Sequence, residues 1–285
     1  MKLAAITMLE TKMKMNLKRV ALSILAVTVV AVLSSASARA DEWSKTYTLT
    51  GKPDLRIETS DANIRVTTWD QNTIEAKVTT SHYKIGEGGI RVEEHQSGDS
   101  VEIDVHFPHN ISVGFMHVDW GHKVDIIIQM PREGKVNLQT GDGKIELAGL
   151  KGEMKLHTGD GSVNLEGVDG NLHASTGDGH INAQGRFDDL ELKTGDGHVN
   201  ARATSGSTLS TNWRLETGDG SVSIRVPSDL AADVDIHTGD GSLHCDLPLT
   251  VTSVESEHSL RGRLNGGGPS LSIRTGDGSV KVEKL

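Results

Sequence analysis

Seven aspartates raise the first chemical question. Asp142, Asp160, Asp178, Asp196, Asp219, Asp240 and Asp277 each stand inside the same tetrapeptide, Thr-Gly-Asp-Gly. Carboxylates stacked in a row repel one another. Calcium, which takes several oxygen ligands at about 2.3–2.6 Å, is the cation that would relieve them. The other reading is a set of turns in which each aspartate bonds amides of its own turn and is screened by salt. The Gly-Gly-x-Gly-x-Asp signature of calcium-binding nonapeptides is absent.

Histidines form the second polar set. His180 and His198 follow consecutive turns at equivalent positions, so they are expected as stacked neighbours able to share a transition metal or respond to pH. Their counterparts elsewhere are Lys144, Ser162 and Ser221, which also fits an ordinary solvated position. His106, His109, His117 and His122 cluster with Phe107, Phe115, Met116 and Trp120. Phe115, Met116 and Trp120 are candidate ligand-binding anchors, because binding energy concentrates in aromatic and arginine side chains. The insert around Arg261 and Arg263 comes second.

Catalytic signatures are missing. No Gly-x-Ser-x-Gly, His-Glu-x-x-His or phosphate-loop pattern occurs. The repeated threonine has no unique base beside it, and no single coil gathers unlike residues as β-helical polysaccharide lyases do. A non-enzyme is expected, with a carbohydrate-active β-helix enzyme as the remote alternative.

The spacing of the tetrapeptide dictates the elements that carry these groups. It begins at Thr140, Thr158, Thr176, Thr194, Thr217, Thr238 and Thr275, at intervals of 18, 18, 18, 23, 21 and 37 residues. A short fixed period marks a solenoid. Within one unit Met154, Leu156 and Thr158 share a face at period two, and so do Val163, Leu165 and Gly167. The columns continue through Leu172, Ala174, Ile181, Ala183, Leu190, Leu192, Val199 and Ala201, with Lys, His, Asn and Glu between them. Each unit reads as two short strands joined by tight turns, with the glycines of Gly-Asp-Gly supplying positive φ. A single coil cannot bury its apolar face alone, so the fold is expected to be cooperative as an array.

Longer intervals locate inserts at 204–211, 227–232 and 248–269, the last with Gly266-Gly267-Gly268. The 37-residue interval reads as two repeats with one turn missing. Trp213 falls on the inward column. Residues 41–135 lack the tetrapeptide but alternate in the same way, and Thr59-Ser60-Asp61-Ala62-Asn63 looks like a decayed copy of the turn. The expected architecture is all-β: a single-stranded β-solenoid of about 18-residue, two-strand coils over 136–285, capped by a β-rich region over 41–135.

With Val66-Thr67-Thr68-Trp69-Asp70, Ile128-Gln129-Met130-Pro131 and the seven tetrapeptides in place, residues 41–285 resemble the bacterial putative-adhesin family of exported, toastrack-like β-solenoids. That resemblance implies a non-catalytic envelope domain.

Residues 1–40 read as a leader. Lys12, Lys14, Lys18 and Arg19 precede an apolar run from Val20 to Leu33, and Ala38-Arg39-Ala40 offers a cleavage site before Asp41. Met15 would start a more ordinary leader. The run is too short to span a bilayer comfortably, and no stable membrane insertion is expected. Of 29 basic and 39 acidic residues, the leader holds six and one, leaving 23 and 38, a formal net charge of −15. Such a surface repels phosphate backbones, which argues against nucleic acid. Cys245 is the single cysteine, so no intramolecular disulfide forms. Aromatics make up 3% of the chain against 32 glycines, which suits a thin repetitive core. The function expected is binding, adhesion or structure in the periplasm or at the cell surface, with a protein or glycan partner. The alternative is a calcium-dependent repeat protein; no other cofactor is expected.

Overall fold

The computed structural model describes residues 41–81, 84–108 and 123–285, and residues 41–285 form one compact unit. Twenty-one strands make it up among the described residues. The first nine are β1 Asp41–Thr48, β2 Asp54–Thr59, β3 Asn63–Trp69, β4 Thr73–Ser81, β5 Arg91–Ser97, β6 Ser100–His106, β7 Lys123–Pro131, β8 Glu133–Thr140 and β9 Ile145–Ala148. The repeats follow as β10 Lys151–Thr158, β11 Val163–Thr176, β12 Ile181–Thr194, β13 Val199–Ala203, β14 Trp213–Thr217 and β15 Val222–Val226. The last are β16 Ala232–Thr238, β17 Leu243–Cys245, β18 Thr250–Ser256, β19 Ser259–Leu264, β20 Ser270–Thr275 and β21 Val280–Lys284.

Each coil has one strand on each of two faces, with the tetrapeptide turn between them. On the first face β8, β10, the second half of β11, the second half of β12 and β14 pair in parallel register. On the second face the ladder runs through β3, β9, the first half of β11, the first half of β12, β13 and β15. Side chains alternate as the period of two requires: in β10 Met154, Leu156 and Thr158 are buried while Lys155 and His157 are exposed. The inward side chains of the two faces form one continuous core. Trp213 lies fully inside it, edge-on to Phe187 at 6.3 Å between ring centroids.

The coils do not stack in chain order. The final coil, β20 and β21, lies between the coil of β14 and β15 and the coil of β16 and β17. The 37-residue interval is therefore not two repeats with a lost turn. Its extra residues form an antiparallel hairpin, β18 and β19, that covers the outer edge of β16. The opposite end is interleaved in the same manner. There β2 and β3 lie between the later strands β6 and β7 and the coil of β8 and β9.

Antiparallel neighbours close that end too, β5 along β6, β4 along β7 and β1 along the far edge of β4. Strand edges that carry charge resist pairing with another chain. Here Lys45 of β1 ion-pairs with Glu94 of β5, and the Glu94 carboxylate also receives the buried Tyr47 hydroxyl at 3.4 Å.

Candidate functional site

The tetrapeptide edge is built by threonine and glycine rather than by aspartate. Thr158 Oγ1 donates to the Gly143 carbonyl of the neighbouring coil at 2.8 Å and accepts from the Gly161 N–H of its own turn at 3.2 Å. Thr176, Thr194, Thr217 and Thr275 repeat both bonds. The inward threonine thus links its own turn to the next.

Positive φ is not what the turn glycines supply, contrary to the expectation from their type: none of them lies in the left-handed region. They provide room. A Cβ on Gly161 would stand 1.9 Å from the Gly143 carbonyl oxygen, which leaves no space for any other residue. Turn amides of successive coils bond at 2.5–2.7 Å, as in Gly159 N–H to Gly141 and Gly276 N–H to Gly218.

All seven aspartates are exposed along this edge, and none makes a side-chain hydrogen bond or ion pair with a described residue. The expectation that each bonds its own turn amides is therefore corrected, because the threonine hydroxyl takes that place. Among the described residues no three His, Cys, Asp or Glu groups are arranged to hold a metal ion.

His180 and His198 are stacked, with ring centroids 5.0 Å apart and planes 9° from parallel. His180 Nδ1 accepts the His198 N–H at 2.9 Å, and His198 Nδ1 accepts the Ser221 N–H at 2.9 Å. Asn63 Oδ1 does the same for Lys144 N–H at 3.0 Å in the decayed turn. Rings held parallel in this way do not aim two lone pairs at a common point, so the geometry does not favour a shared metal. Phe115, Met116 and Trp120, with His109, His117 and His122, lie outside the described residues. Of that cluster, Phe107 packs against the core and His106 lies 3.7 Å from Glu93. In the other insert Arg261 ion-pairs with Asp235 at 3.2 Å.

A concave feature lies elsewhere among the described residues. A groove of about 670 Å³ runs across the strands of the second face, open to solvent. One wall is the outward column Arg65, Glu146, Asn164, Asn182, Asn200 and Ser223. The other is Thr67, Ala148, Glu166, Gln184, Arg202 and Arg225, two residues further along each strand. Inward residues such as Leu165 and Ala183 lie beneath, between the columns. With neighbouring strands about 4.8 Å apart, six strands give a length of about 24 Å.

Side-chain ladders hold the first wall in order. Asn182 Nδ2 donates to Asn164 Oδ1 at 2.8 Å and Asn200 Nδ2 donates to Asn182 Oδ1 at 3.1 Å, while Arg65 Nε meets Glu146 at 2.6 Å. Lys144 also ion-pairs with Glu146, and these cations hold its carboxyl below the usual range. The second wall is less occupied: the side chains of Glu166, Gln184 and Arg202 make no hydrogen bond or ion pair with a described residue. Sequence reasoning treats both columns as interchangeable surface. The signal that is present is the thrice-repeated Asn, at 164, 182 and 200, in a column otherwise free to vary.

Residues 132–283, more than half of the chain, match the Toastrack DUF4097 family. The chain belongs to that family. The Toastrack region takes in the strands from β8 to β21, and the β-solenoid is its architecture. Among solved structures, the chain is similar to a putative cell adhesion protein from Clostridium sporogenes, at 13% identity and a TM-score of 0.41, over 87% of this chain and 100% of that one. It is also similar to a putative lipid binding protein from Parabacteroides distasonis, at 13% identity and a TM-score of 0.40, over 86% of this chain and 97% of that one. A putative adhesin from Bacteroides fragilis aligns at 9% identity and a TM-score of 0.29, over 86% and 97% of the two chains. No curated protein matches this Toastrack chain.

Proposed function

We propose that this Toastrack protein is an exported, non-catalytic binding module that lays an extended, hydroxyl-rich envelope glycan along the groove of its second face. The observation that carries this reading is the composition of the groove. Its walls present amides and guanidinium groups at one-coil intervals over about 24 Å, a length that suits a polymer better than a compact small molecule. Gln184 and Arg202 have hydrogen-bonding capacity that no described residue uses. Asn and Gln offer a donor and an acceptor together, which matches hydroxyl groups. The leader pattern of residues 1–40 and the sequence resemblance to the exported putative-adhesin family support an envelope location.

The test is calorimetric titration of the purified protein with a neutral N-acetylglucosamine hexasaccharide and with acidic forms of the same backbone. Asn182→Leu combined with Gln184→Leu places two branched apolar groups in the groove without disturbing inward positions. At least a tenfold loss of affinity is expected in a folded variant whose melting temperature falls by only about a few degrees, the share of the lost Asn ladder. Unchanged binding to every glycan in the double variant would overturn the groove as the ligand surface.

A further inference from the structure

The groove is not uniform along its length. From β11 to β15 its second wall reads Glu166, Gln184, Arg202, Arg225, passing from negative through neutral to positive. Arg202 and Arg225 stand directly beside each other in parallel register, about 4.8 Å apart along the stack. Like charges in adjacent cross-strand positions destabilise a sheet.

The nearby anion is already committed. Glu283 bonds Arg225 Nε at 3.2 Å and Lys281 Nζ at 2.7 Å, and these two cations hold its carboxyl below the usual range. Of the three cations at this end, Arg225 and Lys281 share the Glu283 carboxylate and Arg202 does not reach it. Arg202 has no partner among the described residues. Arginines on neighbouring surfaces are matched: Arg186 lies between Asp169 and Asp188, and Arg132 bonds Asp70. An unmatched guanidinium beside a second arginine is out of keeping in a chain with 39 acidic and 29 basic residues.

We infer that the Arg202–Arg225 end of the groove is a subsite for an anionic substituent, a carboxylate or a phosphate, carried by the bound glycan. This rests on the groove being the ligand surface. The guanidinium fork is matched in shape to both groups and bonds them in pairs. The charge on the ligand must be sparse. The acidic surface beyond the groove is screened past about 8 Å at physiological salt, so one anion seated between arginines is attracted while a dense polyanion is repelled. The gradient also gives the ligand a direction, with neutral sugars over Asn182 and Gln184 and the anion over Arg202.

Three hexasaccharide probes of one backbone test this: neutral N-acetylglucosamine, the same bearing a lactyl carboxylate on alternate sugars, and the same bearing a 6-phosphate. The wild-type protein should bind at least one acidic probe about tenfold more tightly than the neutral one, and the better of the two identifies the anion. In Arg202→Gln the advantage of the acidic probe over the neutral one, compared within the same variant, should vanish, and Arg202→Lys should recover part of it. If acidic and neutral probes bind wild type equally, or the advantage survives in Arg202→Gln, the subsite is wrong. The groove itself still stands in that case, provided Asn182→Leu with Gln184→Leu abolishes binding. If no probe binds, both readings fall.

Discussion

The Nδ1 atom of His180 accepts the main-chain N–H of His198, one coil away, at 2.9 Å. Side chain and backbone together thus hold the two imidazoles face to face. Acceptance at Nδ1 puts the ring proton on Nε2, which points away from the bond.

Replacement of His180 by alanine removes that acceptor and should cost about 1 kcal/mol, the net worth of a hydrogen bond. His180→Asn should be close to neutral, because Asn63 already serves the Lys144 amide in this way. Thermal melts of the two variants decide it. Equal losses would mean that ring stacking, not the hydrogen bond, holds this corner.

The second turn glycine admits no substitution. A Cβ at this position would meet the Gly143 carbonyl oxygen at 1.9 Å, so Gly161→Ala has to push two coils apart and should abolish soluble, folded protein. Asp160→Asn, one residue earlier and exposed, should melt like wild type. A tolerated Gly161→Ala would show that the coil spacing yields.

Calcium separates the two readings of the aspartate row. Solvated turns predict nearly the same melting temperature in excess calcium and in chelator. A bound ion would stabilise by about 2.7 kcal/mol at one hundred times its dissociation constant. A rise of several degrees with calcium, and none with magnesium, would establish the metal.

Tyr47 gives the molecule an alkaline limit. Burial first, then the charge and hydrogen bond of Glu94, push its hydroxyl well above the ordinary tyrosine range. The unfolded chain ionises at about pH 10 and the folded one resists doing so. This contribution to stability is therefore complete below about pH 10 and is lost as pH rises beyond it. Denaturant melts between pH 9 and 11 should fall less steeply in Tyr47→Phe; identical slopes would remove Tyr47 as the cause.

Val163 is fully buried between Ile145 and Ile181, whereas Asn164 faces outward. Val163→Asp places an unpaired charge in the core and should prevent folding. Asn164→Asp keeps the oxygen that Asn182 bonds and should leave the melting temperature within about a degree or two.

Periodicity makes the coil legible in the sequence. Val163, Leu165 and Trp213 fall inward because a strand offers two faces and the core takes one. The decayed turn at Thr59 is readable for the same reason. Stacking order is not, since Thr194, Thr217, Thr238 and Thr275 carry the same turn and any such coil can lie on any other. Order is decided by the hairpin of β18 and β19, which occupies the outer edge of β16 and leaves its inner edge for β20. The groove is hidden because Asn164, Gln184 and Arg202 look like ordinary outward residues until two columns are seen to frame one trough. The aspartates mislead because the chemistry of the turn lies in Thr158 and in the space that Gly161 leaves.

The interleaved final coil has a mechanical consequence. β21 is gripped in parallel register by β15 on one side and by β17 on the other, and the Leu285 N–H bonds Val226 beyond the strand's end. Tension applied at residue 285 along the strand loads both ladders at once and in shear, rather than peeling one bond at a time. A solenoid whose last coil lay outermost would unravel from that end like a pulled thread. Here β21 is riveted between two earlier coils, so force delivered to it is shared by the body of the stack.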